Sequence, residues 1–158
     1  MSNLNDAVHA AVTRVLDQHA HRPGPLLEVL HGVQNALGHI PPETVAWIAD
    51  RLNLSRAEVH GVISFYHYFR TAAAGRHIVY MCRAEACQSM GAQSLEAHAK
   101  LRLGIDFHQT TADGGFTLEP VYCLGNCALS PAVMIDGDLH GRVTPGRFDA
   151  LLSAAGDR

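Results

Sequence analysis

The chain holds four cysteines in two pairs, Cys82 with Cys87 in "CRAEAC" and Cys123 with Cys127 in "CLGNC". Thiolates are nucleophiles, redox partners and soft metal ligands, so several chemistries compete for them. A redox dithiol favours C-x-x-C, which the chain lacks. A structural zinc site takes four cysteines in a tetrahedron, and C-x4-C is at the wide end of its usual spacings. A 2Fe–2S cluster also takes four cysteines, and its two irons let the pairs stand further apart. Four unrelated thiols, some buried as small apolar groups, are the remaining reading.

The residues around the pairs bear on this choice. Two ferric ions, two sulfides and four thiolates sum to −2, and reduction makes −3, so such a site needs hydrogen-bond donors more than carboxylates. Cys87 is expected to open a helix, whose free amides favour a thiolate. Gly125 and Asn126 both accept positive φ, which would let the loop curl its amides toward the sulfurs. Arg83 is the nearest fixed positive charge, and Glu85 is expected to face solvent. These features favour an anionic cluster over a neutral dithiol. Zinc tetrathiolate, also −2, stays open.

The elements that must position these residues fall into two halves. The first reads as helices. "NLNDAVHAAVTRVLDQH" opens the chain, with Asn3 or Asn5 available as its cap. Leu26, Leu30, Val33 and Leu37 recur at helical spacing after Pro25, and Gly38 is placed to end that helix. A short helix carrying Val45, Ile48 and Leu52 follows "IPPE". A fourth starts at "SRAE", where Ser55 and Glu58 form a capping box, with Val59, Val62, Ile63, Tyr66 and Phe69 on one face.

Near "TAAAGR" the character changes, dividing the chain into 1–75 and 76–158. "HIVYM" reads as a strand ending at Cys82, followed by a helix from about Cys87 to Leu103 that Gly104 stops. "FTLEPVY" is a second strand ending at Cys123, with Pro120 suited to an edge or bulge. "AVMI" and "DLHGRV" form a hairpin across Asp136-Gly137. A closing helix starts near Thr144-Pro145 with Phe148, Leu151, Leu152 and Ala155 on one face. This order predicts an α/β layer with helices covering a mixed sheet. If the two cysteine-bearing strands run side by side in one direction, all four thiols emerge at one end.

Composition narrows the setting. The 158 residues are 47% hydrophobic and 17% charged, normal for a globular protein long enough to build a core. A net charge of −3 with Lys100 as the single lysine argues against nucleic-acid binding. No secretory leader and no membrane-spanning run is seen, so a cytoplasmic protein without direct membrane insertion is expected, where structural disulfides are rare. No glycine-rich nucleotide fingerprint follows a strand, so the chain alone is expected to bind neither FMN nor NAD.

"CRAEAC", followed after a long interval by "CLGNCALSPAV", resembles the thioredoxin-like 2Fe–2S ferredoxin family. The family includes the small ferredoxin-type subunit of NADH–quinone oxidoreductase and its relatives in NAD-reducing hydrogenases and formate dehydrogenases. "GHIP" and "VxSFYxxF" in the first half extend the resemblance over nearly the whole chain. It implies a thioredoxin-like ferredoxin domain at 76–158, preceded by an all-α helical domain at 1–75 for assembly and docking. It also implies that Cys82 and Cys87 bind one iron of a single 2Fe–2S cluster, and Cys123 and Cys127 the other. Its role would be one-electron transfer beside a flavin-bearing, NAD-binding iron–sulfur subunit. "CRAEACQSMGA" most resembles the gamma subunit of NAD-dependent, molybdenum-containing formate dehydrogenases, which implies a molybdenum-containing catalytic subunit in the same complex. The alternative within the family is the homologous subunit of NADH–quinone oxidoreductase or NAD-reducing hydrogenase; a zinc-stabilised interaction module and a thioredoxin-type oxidoreductase are the alternatives of other classes.

Plainer readings are preferred elsewhere. "FYHYF" at 65–69 is taken as core packing between the halves rather than a docking surface. The eleven histidines form no i, i+4 pair, and His108 alone merits watching. Met81 and Met90 are taken as core fillers. Ser130-Pro131 is taken as trans, the usual state.

Overall fold

A computed structural model describes residues 2–157 of the chain, with side chains from Asp6 onward. They divide into two compact units, the break falling between Ala73 and Ala74.

The first unit is helical: α1 (Ser2–His19), α2 (Leu26–Leu37), α3 (Val45–Arg51) and α4 (Arg56–Phe65), with a 3-10 turn at Pro42–Thr44. Asn3 and Asn5 fall inside α1, and their capping side chains lie outside the described residues. Gly38 ends α2 in the left-handed region, φ 79°, with its amide on the Gln34 carbonyl. The capping box at Ser55 and Glu58 is formed in both directions. Val12, Leu16, Leu30, Val33, Ile48 and Val59 make the core.

Helix α4 ends at Phe65, and Tyr66 turns extended, so Tyr66 and Phe69 do not continue its face. The buried Gln34 amide competes for the chain there. It donates to the Tyr68 carbonyl at 2.9 Å and accepts from the Arg70 amide at 2.8 Å. Phe69 of the aromatic run is buried in the helical unit's own core. Phe65, Tyr66 and Tyr68 are 73%, 42% and 48% exposed.

The second unit is α/β. In chain order it comprises β1 (His77–Cys82), α5 (Glu85–Ser89), α6 (Ala92–Leu103), β2 (Gln109–Thr110) and β3 (Phe116–Val121). After a 3-10 turn at Cys127–Leu129 come β4 (Val133–Ile135), β5 (Asp138–His140) and α7 (Pro145–Gly156). The sheet order is β2-β3-β1-β4-β5, with β1 and β3 parallel and the other neighbours antiparallel. Val79, Met81, Leu118, Val133 and Ile135 turn to one side, where Leu95 and Ala99 of α6 and Phe148, Leu152 and Ala155 of α7 cover them. Phe148 is fully buried.

The expected helix from Cys87 to Leu103 is two helices. Gly91 sits at φ +90°, a conformation that costs glycine little, and it ends α5 before α6 begins. Pro120 lies on the interior strand β3, opposite Met81 of β1. The carbonyl of Leu118 serves the β2 side, so by the two-residue alternation the Pro120 nitrogen faces that side too. The short β2 has ended there, and no ladder amide is missed. The Ser130-Pro131 bond is cis, against the expectation. Asp136 (φ 52°) and Gly137 (φ 93°) form the hairpin turn between β4 and β5. Among the described residues no helix is long and apolar enough to cross a membrane.

Candidate metal centre

The cysteines are gathered by strand direction. Because β1 and β3 are parallel, with Cys82 level with Val121, the loops leaving both strands start at one end of the sheet. The Cys82 amide bonds to the Ala132 carbonyl before β4, and the Arg83 amide to the Val121 carbonyl. Three chain segments thus close on one another: 82–87, 121–127 and 130–132.

The sulfurs stand as two pairs of unlike character. Cys82 and Cys87 are buried and hydrogen-bonded to each other. Cys123 and Cys127 are exposed, their Sγ atoms 3.9 Å apart. Cys127 lies near enough to Cys87 and Cys82 for their charge to add to the raising of its thiol pKa. Burial pushes the Cys82 thiol above its ordinary pKa. Burial also opposes ionisation of Cys87, yet its hydrogen-bond contacts with the Ser130 hydroxyl, Cys82 and the Ala132 amide outweigh it and hold that thiol low. Within the buried pair, Cys87 gives up its proton first. Contact with the Cys123 sulfur holds the Cys127 thiol high.

Backbone amides converge on these sulfurs. Those of Ala84 and Leu124 point at Cys82, that of Ala132 at Cys87, and that of Gly125 at Cys123 over 3.3 Å. Oriented amides stabilise negative sulfur without adding charge. Four thiols ringed by such donors fit the donor set of an anionic iron–sulfur cluster. Among the described residues no group of three or more Cys, His, Asp or Glu side chains is set to hold a metal ion, and the sulfurs stand as two pairs.

Several expected residues play other parts. Cys87 lies inside the five-residue α5 rather than opening it, and Ala84 holds the N-cap position. Gly125 is at φ +74°, but Asn126 is at −109°, and Cys123 itself takes the positive φ of 118°. A non-glycine residue there is strained, which the loop's other contacts must hold in place. The Asn126 side chain instead packs at Gly141, where an added Cβ would lie 2.8 Å from Nδ2 and 2.6 Å from the Leu129 Cβ. Arg83 pairs with Glu96 at 3.0 Å and reaches the Tyr122 hydroxyl at 3.4 Å, so its charge is already answered. Glu85 is exposed, as expected. His108 pairs with Glu119 at 2.7 Å. Met81 is buried, but Met90 is 62% exposed and lines a cavity of ≈ 490 Å³ beside Cys127, with Leu95, Pro131 and Val143.

Ser130 carries a local signal, its place three residues after Cys127, whereas no local pattern marks Ala132 as a sulfur partner or Gly141 as a packing constraint.

The chain is similar to several known proteins. The chain is 33% identical to the hydrogenase protein HndA of Solidesulfovibrio fructosivorans, a subunit of an NADP-reducing hydrogenase, covering 95% of this chain and 88% of that one. It is 36% identical to an NADH-quinone oxidoreductase subunit of Pseudomonas aeruginosa, covering 96% and 91%. The crystal structure of an NAD+-reducing [NiFe]-hydrogenase in the H2-reduced state superposes with a TM-score of 0.70 at 25% identity. That match covers 84% of this chain but only 22% of the hydrogenase chain. The family model for thioredoxin-like [2Fe-2S] ferredoxins matches residues 12–156. On this match and these relatives the chain belongs to the thioredoxin-like [2Fe-2S] ferredoxins, whose cofactor is a 2Fe–2S cluster.

Proposed function

We propose that Cys82 and Cys87 hold one iron and Cys123 and Cys127 the other, in an electron-transfer subunit of an NAD-dependent oxidoreductase. The observation that carries this is the parallel pairing of β1 and β3, which brings the two sulfur pairs to one end of the sheet. When bound, the cluster supplies one-electron transfer, and the protein adds no bond chemistry of its own. The amides of Ala84, Leu124, Gly125 and Ala132 orient the sulfurs and offset their charge. The buried pair excludes water on one side, while exposed Cys123 and Cys127 offer sulfur at the surface beside an apolar cavity. That asymmetry suits exchange with a redox centre on a partner.

The partner we infer carries flavin (FMN) and binds NAD, in keeping with relatives named as subunits of NADH–quinone oxidoreductase and of a hydrogenase. The narrower assignment is an NAD-dependent formate dehydrogenase with a molybdenum-containing catalytic subunit in the cytoplasm, and it rests on "CRAEACQSMGA". The helical domain at 1–75 would serve assembly, with exposed Phe65, Tyr66 and Tyr68 on its surface.

Anaerobic purification with counts of iron, acid-labile sulfide and zinc tests the site. Two irons and two sulfides per chain are expected for such a cluster. One zinc without sulfide would favour the interaction-module reading instead. Cys127→Ser is expected to bleach or shift the visible absorption, and an unchanged spectrum would remove Cys127 from the ligands. Co-purification with a formate-oxidising subunit, and formate-dependent NAD reduction by the complex, tests the subtype. Co-purification with quinone-reducing or hydrogenase subunits would redirect it.

A further inference from the structure

Ser130 joins one cysteine of each pair through a single buried hydroxyl, 6% exposed. Its Oγ–H donates to the Cys127 carbonyl at 2.8 Å, and its oxygen accepts from the Cys87 thiol at 3.4 Å. A hydroxyl has one proton to give. While Cys87 is a thiol, both contacts are satisfied at once. A metal-bound Cys87 thiolate has no proton, so the Cys127 carbonyl and the Cys87 sulfur then compete for the Ser130 hydroxyl. Reduction adds one electron, and a more negative sulfur is the stronger acceptor.

We propose that Ser130 is a positioning residue that raises the reduction potential by a redox-linked turn of its hydroxyl. In the oxidised protein the hydroxyl donates to the Cys127 carbonyl. When one electron arrives, it turns about the Cβ–Oγ bond and donates to the Cys87 sulfur. The electron comes from a one-electron donor, reduced flavin on the partner in the function above or dithionite in the test. No proton enters or leaves and no covalent bond changes. This rests on Cys87 and Cys127 being cluster ligands.

Dithionite titration of the holoprotein, followed by electron paramagnetic resonance, tests the proposal on wild type, Ser130→Ala and Ser130→Thr, with iron and sulfide counted for each. The reduced-to-oxidised ratio of Ser130→Ala at a fixed ambient potential is expected to fall about tenfold, equal to about 59 mV for a one-electron couple. Ser130→Thr, which keeps a hydroxyl, is expected to restore it. In D2O, pulsed electron–nuclear double resonance of the reduced wild type should show one coupled deuteron beyond those of the Ala84, Leu124, Gly125 and Ala132 amides, and Ser130→Ala should lose that one. An unchanged potential in Ser130→Ala overturns the proposal. So does a retained deuteron signal accompanied only by a lower melting temperature of the apoprotein, the mark of a residue that merely braces the loop. Should Ser130→Ala not hold iron, Ser130→Gly replaces it, and a wild type without the deuteron signal overturns the proposal outright. A wild-type protein lacking iron and sulfide would instead overturn the ligand assignment.

Discussion

Gly141 shows how closely the exposed cysteine loop is packed. A Cβ there would meet the Leu129 Cβ at 2.6 Å and the Leu129 carbonyl oxygen at 2.8 Å. Backbone cannot retreat as a side-chain tip can, so Gly141→Ala is expected to destabilise the apoprotein by about 1–3 kcal/mol in urea unfolding, the usual range for overpacking. It should also loosen metal retention, because Leu129 closes the turn that begins at Cys127. Arg83 is a different case. Its guanidinium pairs with Glu96, which Lys100 also holds at 2.8 Å, and it stands over the Phe107 ring. Removing that positive charge is expected to lower the reduction potential. Pairing and partial exposure screen it, so the fall in Arg83→Ala should be smaller than in Ser130→Ala, measured in the same titration. A rise would mean that Arg83 acts on something other than the cluster.

Among the elements, helix ends and loop braces carry the polar order. Hydrogen bonds from Ser55 hold the Glu58 carboxyl below its ordinary pKa, and the capping box contains both. Asp106 is held low by Lys100, and Asp113 by Thr111. A carboxyl with a depressed folded pKa adds stability above its unfolded pKa and loses it as pH falls through the folded value. Lys100 is raised by its hydrogen bonds to Glu96 and Asp106, so its contribution persists until pH climbs through that raised value. The melting temperature is therefore expected to be flat near neutrality and to fall on acidification below the carboxylate range. Glu58→Gln should melt below wild type at pH 7, and the difference should shrink as the acid limb is reached. A difference that grows with acid would refute the capping role of that carboxylate.

For the molecule as a whole, the division after Ala73 leaves each unit with its own core. All four cysteines, the amides directed at them among the described residues, and the whole sheet lie within residues 74–158. A chain of those residues alone is expected to fold and to incorporate iron and sulfide with a visible spectrum like that of the full protein. It should have lost whatever assembly function the helical unit supplies. Failure to fold would show that the α/β unit depends on the helical one, and would count against the proposed domains. In the helical unit, the Gln34 brace at Tyr68 and Arg70 leaves three aromatic rings exposed, a feature that suits partner contact better than core.

Local patterns were enough to read the capping box, the Gly38 and Gly104 stops, the Asp136-Gly137 hairpin and the strand ending in Cys82, since each depends on residues a few positions apart. Cysteine type and spacing were likewise enough to suggest a metal centre. The end of α4 at Phe65 and the sign of φ at Cys123 and Asn126 were decided by tertiary structure. In α4, for example, it was Gln34, distant in sequence, that took the backbone groups a longer helix would have used. The same holds at the sulfurs. Ser130 and Ala132 are brought to Cys87 by the antiparallel pairing of β4 with β1, a contact between segments that no local spacing encodes. Sequence specified which atoms are able to bind iron, and the long-range register of the sheet decided which donors surround them.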